Sequence, residues 1–99
     1  MELTKDNFQA ETASGLVLVD FWAEWCGPCQ AMMPVLAQFE KNTGVKVGKV
    51  NVDEQGELAG KFRVMSIPTF QMYKDGKLVE QFVGGRSLAD LEALVAKHK

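Results

Sequence analysis

An α/β fold with a mixed sheet is what this sequence predicts, on three observations. Apolar runs of strand length alternate with stretches of helical periodicity along the whole chain. Two of those runs, 16–22 and 45–52, flank one long helical segment and make a β-α-β unit, whose crossover is right-handed by rule. Two later runs are joined by Lys74-Asp75-Gly76-Lys77, which reads as a hairpin turn, so antiparallel pairing must join the parallel pair. With 99 residues, 46% of them hydrophobic, the chain supplies one core, and residues 1–99 are read as a single domain.

Each element has a local cause. Thr4 is placed to cap a short helix over residues 5–12 anchored by Phe8, and Ser14-Gly15 breaks it. Residues 16–22 are apolar on both alternating faces, which suits a central strand covered on both sides, with Asp20 as the exception. The following helix, residues 26–41, places Met32, Val35, Leu36 and Phe39 at core spacing, contains Pro34, and ends at Asn42-Thr43-Gly44. Residues 45–52 form the second strand, after which Asp53 is placed to cap a short helix that turns Leu58, Ala59 and Phe62 inward. Residues 69–73 and 78–83 make the hairpin strands, Gly84-Gly85 ends the second, and Ser87 caps a last helix with Leu88, Leu91, Leu94 and Val95 on its buried stripe.

Charge and termini exclude several function classes. Eleven basic and 13 acidic residues are intermixed, for a net charge of −2, so nothing points to nucleic acid or an anionic membrane. The start Met1-Glu2-Leu3-Thr4-Lys5-Asp6 lacks the basic and apolar regions of a secretory signal, and no run approaches membrane-spanning length. A soluble protein of a reducing compartment, the cytoplasm, is the expectation. Two cysteines are too few for a secreted disulfide scaffold, and a bridge over two intervening residues would constrain the unfolded chain little.

Those cysteines carry the chemistry. Cys26 and Cys29 fall at a strand-to-helix turn, three residues apart, at a separation compatible with reversible disulfide formation. A helix N-terminus has unpaired N–H groups and partial positive charge, which favours a thiolate on Cys26 and makes it the nucleophile. Cys29, one turn inward, is shielded and placed to resolve the mixed disulfide. Pro28 is tolerated in the first turn, where its missing N–H has no use, and Gly27 leaves the flank of the nucleophile open. Gly27-Pro28 adds no charge and Glu24 is nearby, so the pair is read as a reductant. Asp20, inside an apolar strand, is costly unless paired or neutralised, and either a buried carboxylate with a raised pKa or a solvated strand end with Lys49 pointing outward fits the pattern. Trp25 reads as exposed or core, with Trp22 the better core candidate because it continues the inward alternation.

Taken together, Leu3-Thr4-Lys5-Asp6-Asn7-Phe8, Val19-Asp20-Phe21-Trp22-Ala23-Glu24-Trp25-Cys26-Gly27-Pro28-Cys29, Pro34, Val50-Asn51-Val52-Asp53, Ile67-Pro68-Thr69 and Val83-Gly84 resemble the thioredoxin family nearly end to end. The resemblance implies a thioredoxin fold, a central five-stranded mixed β-sheet flanked by four α-helices. It implies a redox electron carrier that reduces disulfide-containing substrate proteins, binds no cofactor and acts as a monomer. Re-reduction would come from a thioredoxin reductase, a flavin enzyme that draws on NADPH. Asp20 then matches the buried carboxylate that takes a proton from Cys29, with Lys49 as its partner, and Pro68 matches a cis-proline facing the active site. Trp25, Gly27, Pro28, Ile67, Pro68 and Gly84 match the substrate-docking surface; Met65 reads either as bordering it or, as a methionine before a strand more often does, as simple packing. Gln30, Arg63 and Gly56 depart from common family forms, where a basic residue, glycine and proline are frequent.

Three other readings compete. Two cysteines are half of a structural zinc site, but only His98 remains as a further histidine or cysteine ligand, so no metal is expected. A non-catalytic interaction domain would need neither the thiols nor Asp20 and Pro68. An oxidase or isomerase is disfavoured by Gly27-Pro28.

Overall fold

Leu16–Trp22, the most continuously apolar strand-forming run, becomes β1, and the sheet grows from both of its sides. The computed structural model describes residues 1–99, in the order α1 (Phe8–Glu11), β1 (Leu16–Trp22), α2 (Gly27–Thr43), β2 (Lys46–Asn51), α3 (Gly56–Lys61), β3 (Thr69–Lys74), β4 (Lys77–Val83) and α4 (Leu88–His98). Strand order is β2-β1-β3-β4, with β1 parallel to β2 and the other two pairs antiparallel. The sheet is mixed, as expected, but has four strands and not five. At the free edge of β2 the N-terminus makes only an isolated Glu2–Lys49 bridge. The backbone turns away at Thr4–Asn7, where Phe8 N–H donates to the Thr4 carbonyl and Thr4 N–H to Asn7 Oδ1, before a strand can extend.

Period-two alternation sorts the core between two faces. Leu18 packs with Met32, Leu36, Phe39, Phe70, Met72, Leu91 and Val95, under α2 and α4. Val17, Val19 and Phe21 pack with Leu3, Phe8, Val50, Leu58 and Tyr73, under α1 and α3. Gly48 lies on this second face, where a Cβ would overlap the buried Leu3 side chain, so the close approach of the N-terminal segment requires glycine.

Several boundaries differ from expectation for identifiable reasons. α1 is one turn long and its N-cap position is Asn7, because Thr4 caps the preceding turn instead, accepting from Asp6 N–H. α2 begins at Gly27, with Cys26 as its N-cap, and runs on to Thr43 before Gly44 closes it in the left-handed conformation. Asp53 does not cap α3; Gln55 holds that position. α3 closes with Val64 N–H donating to the Ala59 carbonyl and Arg63 N–H to that of Gly60, a hydrogen-bond pattern that puts Arg63 at φ 55°. A side chain there is strained, which gives physical content to the departure from glycine noted above. The hairpin turns through Asp75 and Gly76, both at positive φ, as a two-residue loop requires. Ser87 caps α4 by accepting from Asp90 N–H, and the other end is tied to β4 where Glu80 meets His98 at 2.7 Å and Lys97 at 3.0 Å.

Candidate active site

β1 ends at Trp22 and α2 starts at Gly27, so the intervening turn delivers Cys26 directly to the helix N-terminus. Its extended backbone, φ −90° and ψ 107°, lets its sulfur occupy the capping position, where Sγ accepts the Cys29 N–H at 3.2 Å. Charge on that sulfur is favoured by the hydrogen bond and by the helix dipole. Cys26 and Cys29 are joined as a disulfide, with Cα atoms 5.2 Å apart. The two sulfurs differ in setting: Cys29 is fully buried, while Cys26 keeps 5% of its surface and is flanked by the exposed Gly27 and Pro28.

A second loop meets the turn. The Ile67–Pro68 peptide is cis, and the Ile67 carbonyl oxygen lies 3.9 Å from Cys26 Sγ. Gly84 N–H donates to the Pro68 carbonyl at 2.8 Å, with Gly84 at φ 91°. Trp25 is 70% exposed, and its indole Nε1–H donates to Asp53 Oδ2 at 2.8 Å. Asn51 Oδ1 accepts from the N–H groups of Asp53 and Glu54, which holds Asp53 in place for that bond. Gln30 closes the turn from the other side, donating to the Glu24 carbonyl at 3.2 Å.

Asp20 lies in β1, the strand that leads into this turn. Alternation along β1 puts it on the same face as Leu18, under α2, with Lys49 and Phe70 opposite it on the neighbouring strands. It is fully buried and neither carboxylate oxygen has a hydrogen-bond partner. Burial pushes its pKa up from 3.8 to about 7, against the opposing pull of the Lys49 charge. The Lys49 ammonium makes no ion pair with it and donates to the Met33 thioether instead. No group of three or more His, Cys, Asp or Glu side chains is placed to hold a metal ion.

The thioredoxin family model matches residues 1–97. The chain belongs to the thioredoxin family. Thioredoxin of Bacillus subtilis is 48% identical to it over 100 residues, covering 99% of this chain and 96% of the relative. Thioredoxin of Alicyclobacillus acidocaldarius is also 48% identical, covering 97% and 94%. Among solved structures, a mutant thioredoxin from Halobacterium salinarum superposes with a TM-score of 0.92 at 33% identity, covering 98% of this chain and 88% of that one. Mitochondrial thioredoxin 3 of Saccharomyces cerevisiae, in its oxidized form, gives 0.89 at 31% identity, covering 98% and 93%. With four helices around a four-stranded sheet, the thioredoxin fold here carries a redox-active Cys26–Cys29 pair, and the protein is a thiol–disulfide oxidoreductase. Family membership implies disulfide-bearing substrates and a reductase as partners in general. No helix is long and apolar enough to cross a membrane.

Of the residues singled out in the sequence, Cys26, Cys29, Trp25, Gly27, Pro28, Ile67, Pro68 and Gly84 lie in the cysteine turn or in the two loops that meet it, and Asp20 lies on the α2-covered face of β1. Lys49 faces Asp20 in register without touching it through a hydrogen bond. Trp22 is only half-buried, and its indole N–H is buried without a partner. Met65 is 92% exposed. Two participants escaped the sequence reading. Asp53 reads as a helix cap from its neighbours and becomes the Trp25 anchor only through the fold. Met33, one turn beyond Cys29, carries no local signal that it meets Lys49.

Proposed function

We propose that this thioredoxin-family protein reduces disulfides in other proteins by two successive exchanges, as an electron carrier. The observation that carries this reading is a helix N-cap made by a cysteine sulfur, Cys26 Sγ accepting the Cys29 N–H, beside an open flank. In the dithiol form the Cys26 thiolate attacks one sulfur of a target disulfide. A Cys26–target bond forms, the target S–S bond breaks and one target thiolate leaves. Cys29 then loses its proton to Asp20 and attacks Cys26 Sγ, which releases the second target thiolate and forms the Cys26–Cys29 disulfide. Two electrons have passed to the target.

A carboxylate whose pKa stands near 7 is suited to that proton transfer, since it both binds and releases a proton at neutral pH. Lys49, opposite in register, biases it through its charge. Trp25, Gly27, Pro28, Ile67, Pro68 and Gly84 form the docking surface; no backbone partner engages the Ile67 N–H, which supports pairing with an extended substrate segment. A thioredoxin reductase, a flavin enzyme using NADPH, returns the electrons, and the protein works as a monomer in the cytoplasm. The thioredoxin relatives support the thiol–disulfide exchange in this reading.

Insulin reduction with reductase and NADPH tests it. Wild type is expected to turn over, Cys26→Ser to be inert, and Cys29→Ser to accumulate a mixed disulfide. Normal turnover by Cys26→Ser would remove Cys26 as nucleophile.

A further inference from the structure

Lys49 stands directly across from Asp20 in the β1–β2 register, yet its ammonium donates to Met33 Sδ at 2.8 Å and both Asp20 oxygens are left without a partner. A thioether is a weak acceptor, whereas an ammonium gains far more from a buried carboxylate. The ammonium nevertheless lies on Met33 and not on Asp20. Met33 lies four residues beyond Cys29, so the two side chains follow one another along the same flank of α2. Together with Met1, Glu40 and Val47, Met33 and Lys49 line a shallow groove between α2 and the free edge of β2.

We propose that Met33 is a positioning residue for disulfide reduction: its thioether holds the Lys49 ammonium in this groove, away from Asp20, and keeps Asp20 a competent proton acceptor for Cys29. The proposal rests on the proton-transfer role given to Asp20 above. An opposite charge close to a carboxylate stabilises its ionised form and weakens it as a base. Other charges around the pair are few. α2 contributes the Cys26–Cys29 pair and Glu40, whose Oε2 accepts from Val47 N–H. The Met1 ammonium donates to the Val47 carbonyl at 2.9 Å. β3 offers Phe70 opposite Asp20, and α4 covers this face with Leu91 and Val95. Lys49 is thus the one cation opposite Asp20 in register, and Met33 is its partner.

Met33→Leu removes the sulfur at nearly constant volume, so the fold is expected to be kept. Two measurements are made on it: the titration midpoint of Asp20, from its side-chain carbon resonance in the dithiol form, and the pH profile of mixed-disulfide resolution. With the lysine free to approach, the midpoint is expected to fall by about one pH unit. The resolution profile should move with it, and in a Lys49→Met background the same substitution should move neither. An unchanged midpoint in Met33→Leu overturns the proposal, as does an equal fall without the lysine. A lowered midpoint with an unmoved resolution profile supports the hold of Met33 on Lys49 and instead removes Asp20 from the reaction.

Discussion

Asp20 and Gln71 are both polar, both fully buried and sit on adjacent strands, yet they are treated in opposite ways. Gln71 points to the α1 and α3 side, where its Oε1 accepts from the Tyr73 hydroxyl at 2.7 Å and its Nε2 donates to Gln81 Oε1 at 3.4 Å. Burial there raises the Tyr73 pKa to about 12, so that hydroxyl stays a donor at every working pH. Asp20 points to the α2 side and receives no hydrogen bond at all. A partnered buried amide is part of the packing; an unpartnered buried carboxyl is costly and retains a titration near neutrality that a partnered one would lose. The first is how a sheet accommodates a polar group. The second leaves a carboxyl that gains and loses its proton near neutral pH.

Substitutions that exchange these conditions test the contrast. The largest effect is expected at Asp20. A rise in pKa from 3.8 to about 7 makes the ionised native state costly by about 4 kcal/mol. The folded carboxyl binds a proton more tightly than the unfolded one, so this cost grows as pH rises from about 4 through about 7 and is constant above. Asp20→Asn should therefore be more stable than wild type in urea unfolding at pH 8, by up to about 4 kcal/mol, with most of the advantage gone at pH 4. It should also slow mixed-disulfide resolution; equal stability at both pH values would mean that Asp20 is solvated.

Gln71 should behave in reverse. Gln71→Ala removes packing and leaves the Tyr73 hydroxyl without its acceptor, for an expected loss of about 3 kcal/mol with little pH dependence. Turnover per folded molecule should be unchanged, and a specific loss of resolution rate would show that the two faces are coupled. Tyr73→Phe is the gentler version. It strips one donor from Gln71 Oε1, and a loss of about 1 kcal/mol is expected by the same unfolding measurement.

The contrast also separates what was legible from what was not. Asp20 stood out in the sequence because a charge interrupts an apolar run, and the resemblance supplied a role for it. Gln71 gave no such signal, since a neutral polar residue in a strand is as often exposed as buried. Asp53 misled: an acidic residue just before a short helix is a reasonable cap, but Asn51 Oδ1 binds its N–H, Gln55 takes the cap, and its carboxylate goes to Trp25. The fifth strand came from the resemblance; in the fold the segment before the Thr4–Asn7 turn makes only the isolated Glu2–Lys49 bridge.

The sequence by itself determined the order of strands and helices, the cysteine turn at the start of α2, the Asp75-Gly76 hairpin and the Ser87 cap, because these depend on periodicity and on neighbours within a few residues. Only the tertiary structure decided which groups meet across the sheet. It brought Lys49 opposite Asp20 and then to Met33, Asp53 to Trp25, and Ile67 to Cys26, over separations of 16 to 41 residues for the contacts that close the site. Register and helix packing set those meetings, and both follow from the global burial of apolar faces, which no local pattern encodes.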